Sequence, residues 1–401
     1  MKLKIGVIFG GKSCEHDVSI ISGLQAVQAL DKNAYEATII YISREGDWFV
    51  GEALSKVDFY RHFDRTKVTR VVPAGRGGKL QLLTIAPRTG FLSKLSGGDA
   101  EEAHVLRELD VVMPVMHGVN GEDGTLQGML EMFDVPYTSA GVMGSAVGMD
   151  KITMKQLFMG CGFPVVPGTW FNRARWSAER DKVLDEVEAK LPYPVFVKPA
   201  NLGSSIGISR ADDRESLEEA IDTACAYDRR ILVEQGIVDL REVNCAVLGY
   251  GNEVRSSVLE MPLSSGEFLD FQDKYLRGGK NKNGMQALAR RIPAPIGDEM
   301  TAKVKALAED IFRAMDLKGC VRIDFILDKD DTLYVEEANI IPGSLAFYLW
   351  EADGLSFAEL LEKMIEYALK ANADRRHSVF SYDSSILTRV AGGGKGGKLA
   401  K

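Results

Sequence analysis

The sequence predicts a mixed α/β (α+β) chain of several domains that opens on a parallel sheet. Three observations carry this. At 401 residues and a usual ~150 residues per domain, the length corresponds to about 2.7 domains. Apolar residues make up 45% and charged residues 26%, the mixture of an ordinary globular chain, which excludes disorder, collagen-like repeats and a small stapled scaffold. The N-terminus reads strand, glycine loop, helix, strand, the pattern of a parallel α/β layer.

Residues 3–9 form a short apolar run. Gly10-Gly11-Lys12 interrupts it before a signal-peptide core could form, so it reads as a first strand. Residues 17–30 carry helical periodicity, and 37–42 and 111–115 read as further strands. Residues 46–108 are long and less regular, with turn signals at Gly75-Arg76-Gly77-Gly78 and Gly97-Gly98. They are expected to be an insertion on a first domain spanning 1–139. A second unit, 140–235, is expected to hold a helix at 154–159 and strands at 195–198 and 206–209 joined by a Gly/Ser loop. An acidic amphipathic helix at 215–226 and a strand at 231–234 complete it. A third unit, 236–377, is expected to hold strands at 243–248, 254–259, 320–327 and 332–336, with helices at 298–315 and 357–370. Residues 261–290 are polar and glycine-dotted and read as a loop or lid. Residues 378–401 read as a flexible tail, low in complexity across Gly392-Gly393-Gly394-Lys395-Gly396-Gly397-Lys398, with a fusion remnant as the other reading.

Composition excludes several functions. A formal net charge of −8 is a poor match to broad nucleic-acid binding, which favours a basic footprint. No apolar run approaches the ~18 residues of a membrane span. The five cysteines (Cys14, Cys161, Cys225, Cys245, Cys320) are scattered without a Cys-x-x-Cys pair. That disfavours zinc and disulfide frameworks and suits reduced thiols in the cytoplasm. Glycine is in excess: 40 residues, about 10% against a usual ~7%, which points to loops that approach a ligand closely.

Four segments carry chemistry. Gly10-Gly11-Lys12-Ser13-Cys14-Glu15-His16-Asp17 lies between a strand and a helix. Its backbone could approach a ligand, while Glu15 and Asp17 could equally cap the helix; the dinucleotide fingerprint Gly-x-Gly-x-x-Gly is absent. His117-Gly118-Val119-Asn120-Gly121-Glu122-Asp123-Gly124 follows a parallel strand, so His117 faces the crevice where such sheets bind ligands or makes a structural hydrogen bond. Lys198-Pro199-Ala200-Asn201-Leu202-Gly203-Ser204-Ser205-Ile206-Gly207 offers a lysine and a small-residue loop of donors to phosphate, or is a bare hairpin. Arg322-Ile323-Asp324 and Glu336-Glu337-Ala338-Asn339 sit on two predicted strands. Alternation puts Arg322 with Asp324, and Glu337 with Asn339, on shared faces. Paired as a hairpin across 328–331, they bring together two carboxylates, an amide and an arginine, a donor set suited to Mg²⁺ bridged to phosphates.

In order, these four segments resemble the D-alanine-D-alanine ligases of the ATP-grasp superfamily, from about Lys4 to Leu369. The resemblance implies a three-domain ATP-grasp fold with an N-terminal Rossmann-like parallel-sheet domain, and ATP gripped between the second and third domains. It implies two D-alanines joined through an acyl phosphate for peptidoglycan synthesis. Lys151, Lys198, Glu234, Glu242 and Lys274 match ATP-side residues, and Asp324, Glu337 and Asn339 match ligands of Mg²⁺ (or Mn²⁺), two ions in all. Glu15 matches the residue holding the first D-alanine ammonium, with Ser204 and Tyr275 as its lid partners. Arg322 and the Gly343 N–H match the oxyanion stabilisers, and His117, Ser344 and Tyr348 match substrate-side positions. A cytoplasmic homodimer without nucleic-acid or membrane partners is implied; the low-complexity tail itself predicts that activity survives truncation after Ala373. Two departures stand out: Ile340 where many relatives have threonine, and Tyr348 where they have a serine that helps hold the second substrate. D-serine or another D-amino acid as second substrate therefore stays open, as does a non-catalytic ATP-binding module. Lys274-Tyr275 matches the dipeptide-forming branch rather than the D-lactate branch.

Overall fold

The computed structural model describes residues 2–87, 101–263, 290–382, 384 and 386. Three sheets organise them. The first has order β6-β5-β4-β3-β2-β1-β7, with β1 Leu3–Gly10, β2 Tyr35–Ile42, β3 Trp48–Val50, β4 Thr69–Arg76, β5 Lys79–Pro87, β6 Glu101–Leu109 and β7 Val111–Pro114. β2, β1 and β7 are parallel. β1 is buried from Ile5 to Gly10, which explains its continuous apolar run. Beyond β2 the sheet turns antiparallel. Residues 46–108, expected to be irregular, thus supply four strands of this sheet. Their sequence hides it: β4 contains Pro73 and Gly75, and β6 is exposed along all but its last residue, so neither carries an alternating pattern.

The second sheet, order β10-β9-β11-β8, consists of β8 Gly168–Asn172, β9 Val195–Pro199, β10 Ser209–Ala211 and β11 Arg230–Gln235. The helices Arg180–Lys190 and Arg214–Tyr227 share its core through Val183, Leu184, Val187, Leu217 and Ile221. Asp213 and Ser216 close a capping box on the second of these helices, which fixes its start. The strand expected at 206–209 begins instead at Ser209, because Ser204, Ser205 and Gly207 all adopt positive φ, which an extended strand cannot accommodate.

The third sheet, order β14-β13-β12-β15-β16, consists of β12 Arg241–Tyr250, β13 Glu253–Pro262, β14 Arg290–Arg291, β15 Gly319–Leu327 and β16 Leu333–Asn339. The helices Asp298–Ala314, Phe347–Ala352 and Phe357–Arg376 pack against it. One apolar core runs through the first and third sheets, from Phe9, Ile20 and Val111 to Ile311, Leu349 and Leu360. The second sheet keeps a separate core built around Trp176. The long C-terminal helix reaches past Ala373: Arg375 pairs with Glu131, and Arg376 with Asp134 at 3.0 Å. A cut after Ala373 would sever both ties. Among the described residues, no helix is long and apolar enough to cross a membrane. Most of the expected lid at 261–290, and the glycine tail at 392–398, lie outside the described residues.

Candidate active site

The second and third sheets and the end of β1 enclose two adjoining chambers of about 150 Å³ each. Both are lined by Gly203, Ser204, Glu242, Asn244, Asp324 and Glu337.

The first chamber has a charged end and an apolar end. Lys198 Nζ lies 2.8 Å from Glu234 and 2.5 Å from Glu336, while Lys155 Nζ lies 2.5 Å from Glu234 and 3.0 Å from Glu336. Two lysines and two acids so form a closed ring of ion pairs. Burial opposes the charge on Lys198, yet the Glu234 and Glu336 carboxylates outweigh it and hold the ammonium above its usual range. Lys151 makes a 2.7 Å pair with Glu337, which likewise outweighs burial and raises its ammonium. Val166, Phe196, Ile237, Leu240 and Ile326 line the apolar end. Glu234, expected on the adenine side, thus turns its carboxylate to the lysines.

Glu336 reaches this ring through a bulge. Asp324 pairs with Glu337 and Phe325 with Val335, so Glu336 is the extra residue between them. Strict alternation would have turned it to the opposite face. Lys155 stands four residues after Lys151 on one helical face, a spacing that predicts neighbours, but no motif in the sequence marks it.

The hairpin β15–β16 forms as expected. Arg322 grips Asp324 with two bonds of 2.7 Å, and Asn339 Nδ2 donates to Asp324 Oδ2 at 2.9 Å. Ile323, Phe325 and Ala338 are buried on the other face. Burial pushes the Asp324 carboxyl up to about 6, with Glu337 and Glu260 adding to the rise and Arg322 opposing it. Two carboxylates and an amide on neighbouring strands are hard oxygen donors that a divalent cation would match. Among the described residues, no cluster of three or more acidic, histidine or cysteine ligands accompanies them.

The second chamber is acidic at one end. Glu15 precedes the helix His16–Ala29 but makes no capping bond; its carboxylate accepts from the Ser204 hydroxyl. Asp17 pairs instead with Arg44 at the surface. Glycines leave room for Glu15: a Cβ on Gly203 would lie 2.9 Å from its carboxylate, and one on Gly118 would lie 3.0 Å away. Glu122 accepts from the Gly118 N–H at 2.7 Å and the Ile341 N–H at 3.2 Å. Burial first, and then Glu15, push its carboxyl up to about 8. The sequence reading quoted Glu122 within its motif but gave it no role. His117 contacts Ser22 Oγ at 3.1 Å, and burial holds its imidazole down to about 4.

At the other end stand Arg322, Gly343, Tyr348, Glu260 and Arg290. Glu260 accepts from Tyr348 at 2.7 Å, Asn244 at 3.0 Å and Arg290 at 3.1 Å. The Arg290 guanidinium lies 4.1 Å from the centre of the Tyr348 ring. Ser344 is turned away, its hydroxyl donating to Gln25 at 2.6 Å. Ile340 is a core residue, so of the two departures only Tyr348 enters the chamber. Lys274 and Tyr275 lie outside the described residues.

A cleft between two antiparallel sheets, with lysines and carboxylates at one chamber and an acid-caged pocket at the next, defines a ligase of the ATP-grasp fold. Two family models match the chain, the D-ala D-ala ligase N-terminus over residues 4–140 and the C-terminus over 157–366. The chain belongs to the D-alanine-D-alanine ligase family. It is 36% identical to the D-alanine-D-alanine ligase of Thermosipho africanus over 96% of this chain and 98% of the relative. It is 38% identical to that of Bacillus cytotoxicus over 94% and 98%. Its fold is similar to the ligase structure from Coxiella burnetii, with a TM-score of 0.73 and 26% identity over 94% of this chain and 96% of the other. It is also similar to the VanG D-Ala:D-Ser ligase from Enterococcus faecalis, at 0.73 and 28% over 92% and 100%.

Proposed function

We propose that the protein uses ATP to join two D-alanines into D-alanyl-D-alanine, the dipeptide for peptidoglycan. The observation that carries this is the shared wall of the two chambers. A nucleotide γ-phosphate beside Lys151 and Lys198 meets a carboxylate in the second chamber at Asp324 and Glu337.

A carboxylate is a poor acyl donor because its leaving group would be oxide. Transfer of the γ-phosphoryl group makes an acyl phosphate with a good leaving group. The amine of the second D-alanine then attacks, and phosphate departs. The base of ATP takes the apolar end of the first chamber, and Glu242 takes the ribose hydroxyls. Glu15, oriented by Ser204, holds the ammonium of the first D-alanine. Arg322 and the Gly343 N–H stabilise negative charge on the tetrahedral centre. Asp324, Glu337 and Asn339 would hold Mg²⁺, which would neutralise negative charge on the phosphate oxygens when bound. Two ions and a homodimeric assembly complete the reading, with units at 1–139, 140–235 and 236–377.

The test is incubation with ATP and D-alanine, alone and with D-serine or D-lactate, followed by mass analysis. D-alanyl-D-alanine and ADP in equal amounts are expected. A D-alanyl-D-serine product in preference would move the second-substrate assignment, and no ADP with any substrate would overturn the reading.

A further inference from the structure

One buried cation lies outside the cleft and has no role in it. Lys318 immediately precedes β15 and is buried. Its Nζ stands 3.6 Å from the centre of the Tyr137 ring, and among the described residues no carboxylate forms an ion pair with it. A cation–π contact is weaker than the desolvation it would have to offset. Lys318 borders a cavity of about 160 Å³ that shares no residue with the two chambers.

A second cationic donor borders the same cavity. Arg375 spends its Nη atoms on Glu131 and Asp134, with a 2.8 Å bond to the Glu131 carbonyl and a 3.4 Å bond to Asp134 Oδ1, but its Nε is buried with no hydrogen-bond partner. The nearby acids are mostly committed. Glu131 also accepts from the Tyr137 hydroxyl at 2.7 Å. Asp374 accepts from Tyr250 at 2.8 Å. Asp316 remains at the rim. An ammonium and a guanidinium N–H thus border one cavity whose own acids do not satisfy them.

We infer that this cavity binds a small oxyanion, of the carboxylate or phosphate class, between Lys318 Nζ and Arg375 Nε. The ligand would clip the segment around Tyr137, next to the first sheet, to β15 and the C-terminal helix. Burial lowers the Lys318 ammonium to about 7, with Asp316 only partly restoring it. An anion therefore binds with proton uptake near neutrality. Glu131, Asp316, Tyr137, Tyr250 and Arg375 are the titratable and charged groups around the lysine.

The test uses the whole protein labelled with ¹³C at lysine Cε, titrated by NMR with sodium sulfate at constant ionic strength. Among the described residues, Lys318 is the lysine whose ammonium is displaced downward; Lys79, Lys151, Lys198, Lys363 and Lys370 move up. Its midpoint identifies it in the wild type, so the readout does not depend on a variant folding or on sulfate entering the cleft. Sulfate is expected to raise that midpoint by about one unit, a tenfold change in proton affinity. Arms with inorganic phosphate and acetate separate the phosphate from the carboxylate source. Lys318→Met is expected to lose the resonance and most of the sulfate-induced rise in Tm at pH 6. A midpoint unmoved by all three anions, or an equal Tm response in Lys318→Met, would overturn the site.

Discussion

Tyr348 and Glu260 are joined by a hydrogen bond of 2.7 Å at the far end of the second chamber. The chamber therefore presents a phenol already tied to a buried acid. Tyr348→Phe removes one of three donors to that acid, worth about 1–2 kcal/mol. The expected result is a roughly 5- to 30-fold rise in KM for the second amino acid, with KM for ATP unchanged. Initial rates with each substrate varied in turn check this; equal effects on both would argue against a second-substrate role.

Glu337 faces Asp324 in register across β15 and β16 and pairs with Lys151. Glu337→Gln keeps the shape and removes the charge. ADP release should fall by at least about 10²-fold while circular dichroism and Tm stay near wild type. A nearly fully active variant would sink the metal assignment.

Lys155 balances Glu234 and Glu336 together with Lys198. Lys155→Met leaves two buried carboxylates facing one ammonium. Removing one partner of a buried pair costs about 3–5 kcal/mol. Urea denaturation should report a loss of that order, and the loss should persist in high salt because the ring is buried.

His117 offers a pH prediction. Its folded value is lowered from 6.5 to about 4 by burial. Between those values the unfolded chain binds more protons, so stability rises with pH across that window and is lost as the solution is acidified. The loss attributable to His117 is on the order of 3 kcal/mol at most. His117→Gln should flatten the Tm profile between pH 4 and 6.5 without changing it above pH 7; an unchanged slope would place the acid sensitivity elsewhere.

The strands β1, β2, β7, β9, β11, β12 and β13 and the β15–β16 hairpin were legible because their apolar pattern is strong. Glu15 was legible as chemistry but not as geometry: its spacing suited a helix cap equally, and only Ser204, 189 positions away, decides between them. Glu336 was illegible because a bulge breaks the alternation on which its placement rested. The strands β4 and β6 were illegible because Pro73 and Gly75 interrupt β4 and the edge strand β6 is exposed along nearly its whole length. Glu260 and Arg290 form their pair across 30 positions, and nothing local in either segment announces it.

The separation of the second sheet's apolar core from the core shared by the first and third sheets has a consequence for how nucleotide and protein depend on one another. Phe325 in the wall of the first chamber belongs to the core shared by the first and third sheets, while Phe196 and Lys198 come from β9 of the second sheet, whose own core is built around Trp176. The two cores do not touch, and at the cleft the ring of lysines and acids joins the elements that carry them. A nucleotide seated there would touch elements built on both cores at once. It acts as mortar as well as substrate, and the protein should be least able to breathe when it is loaded to react.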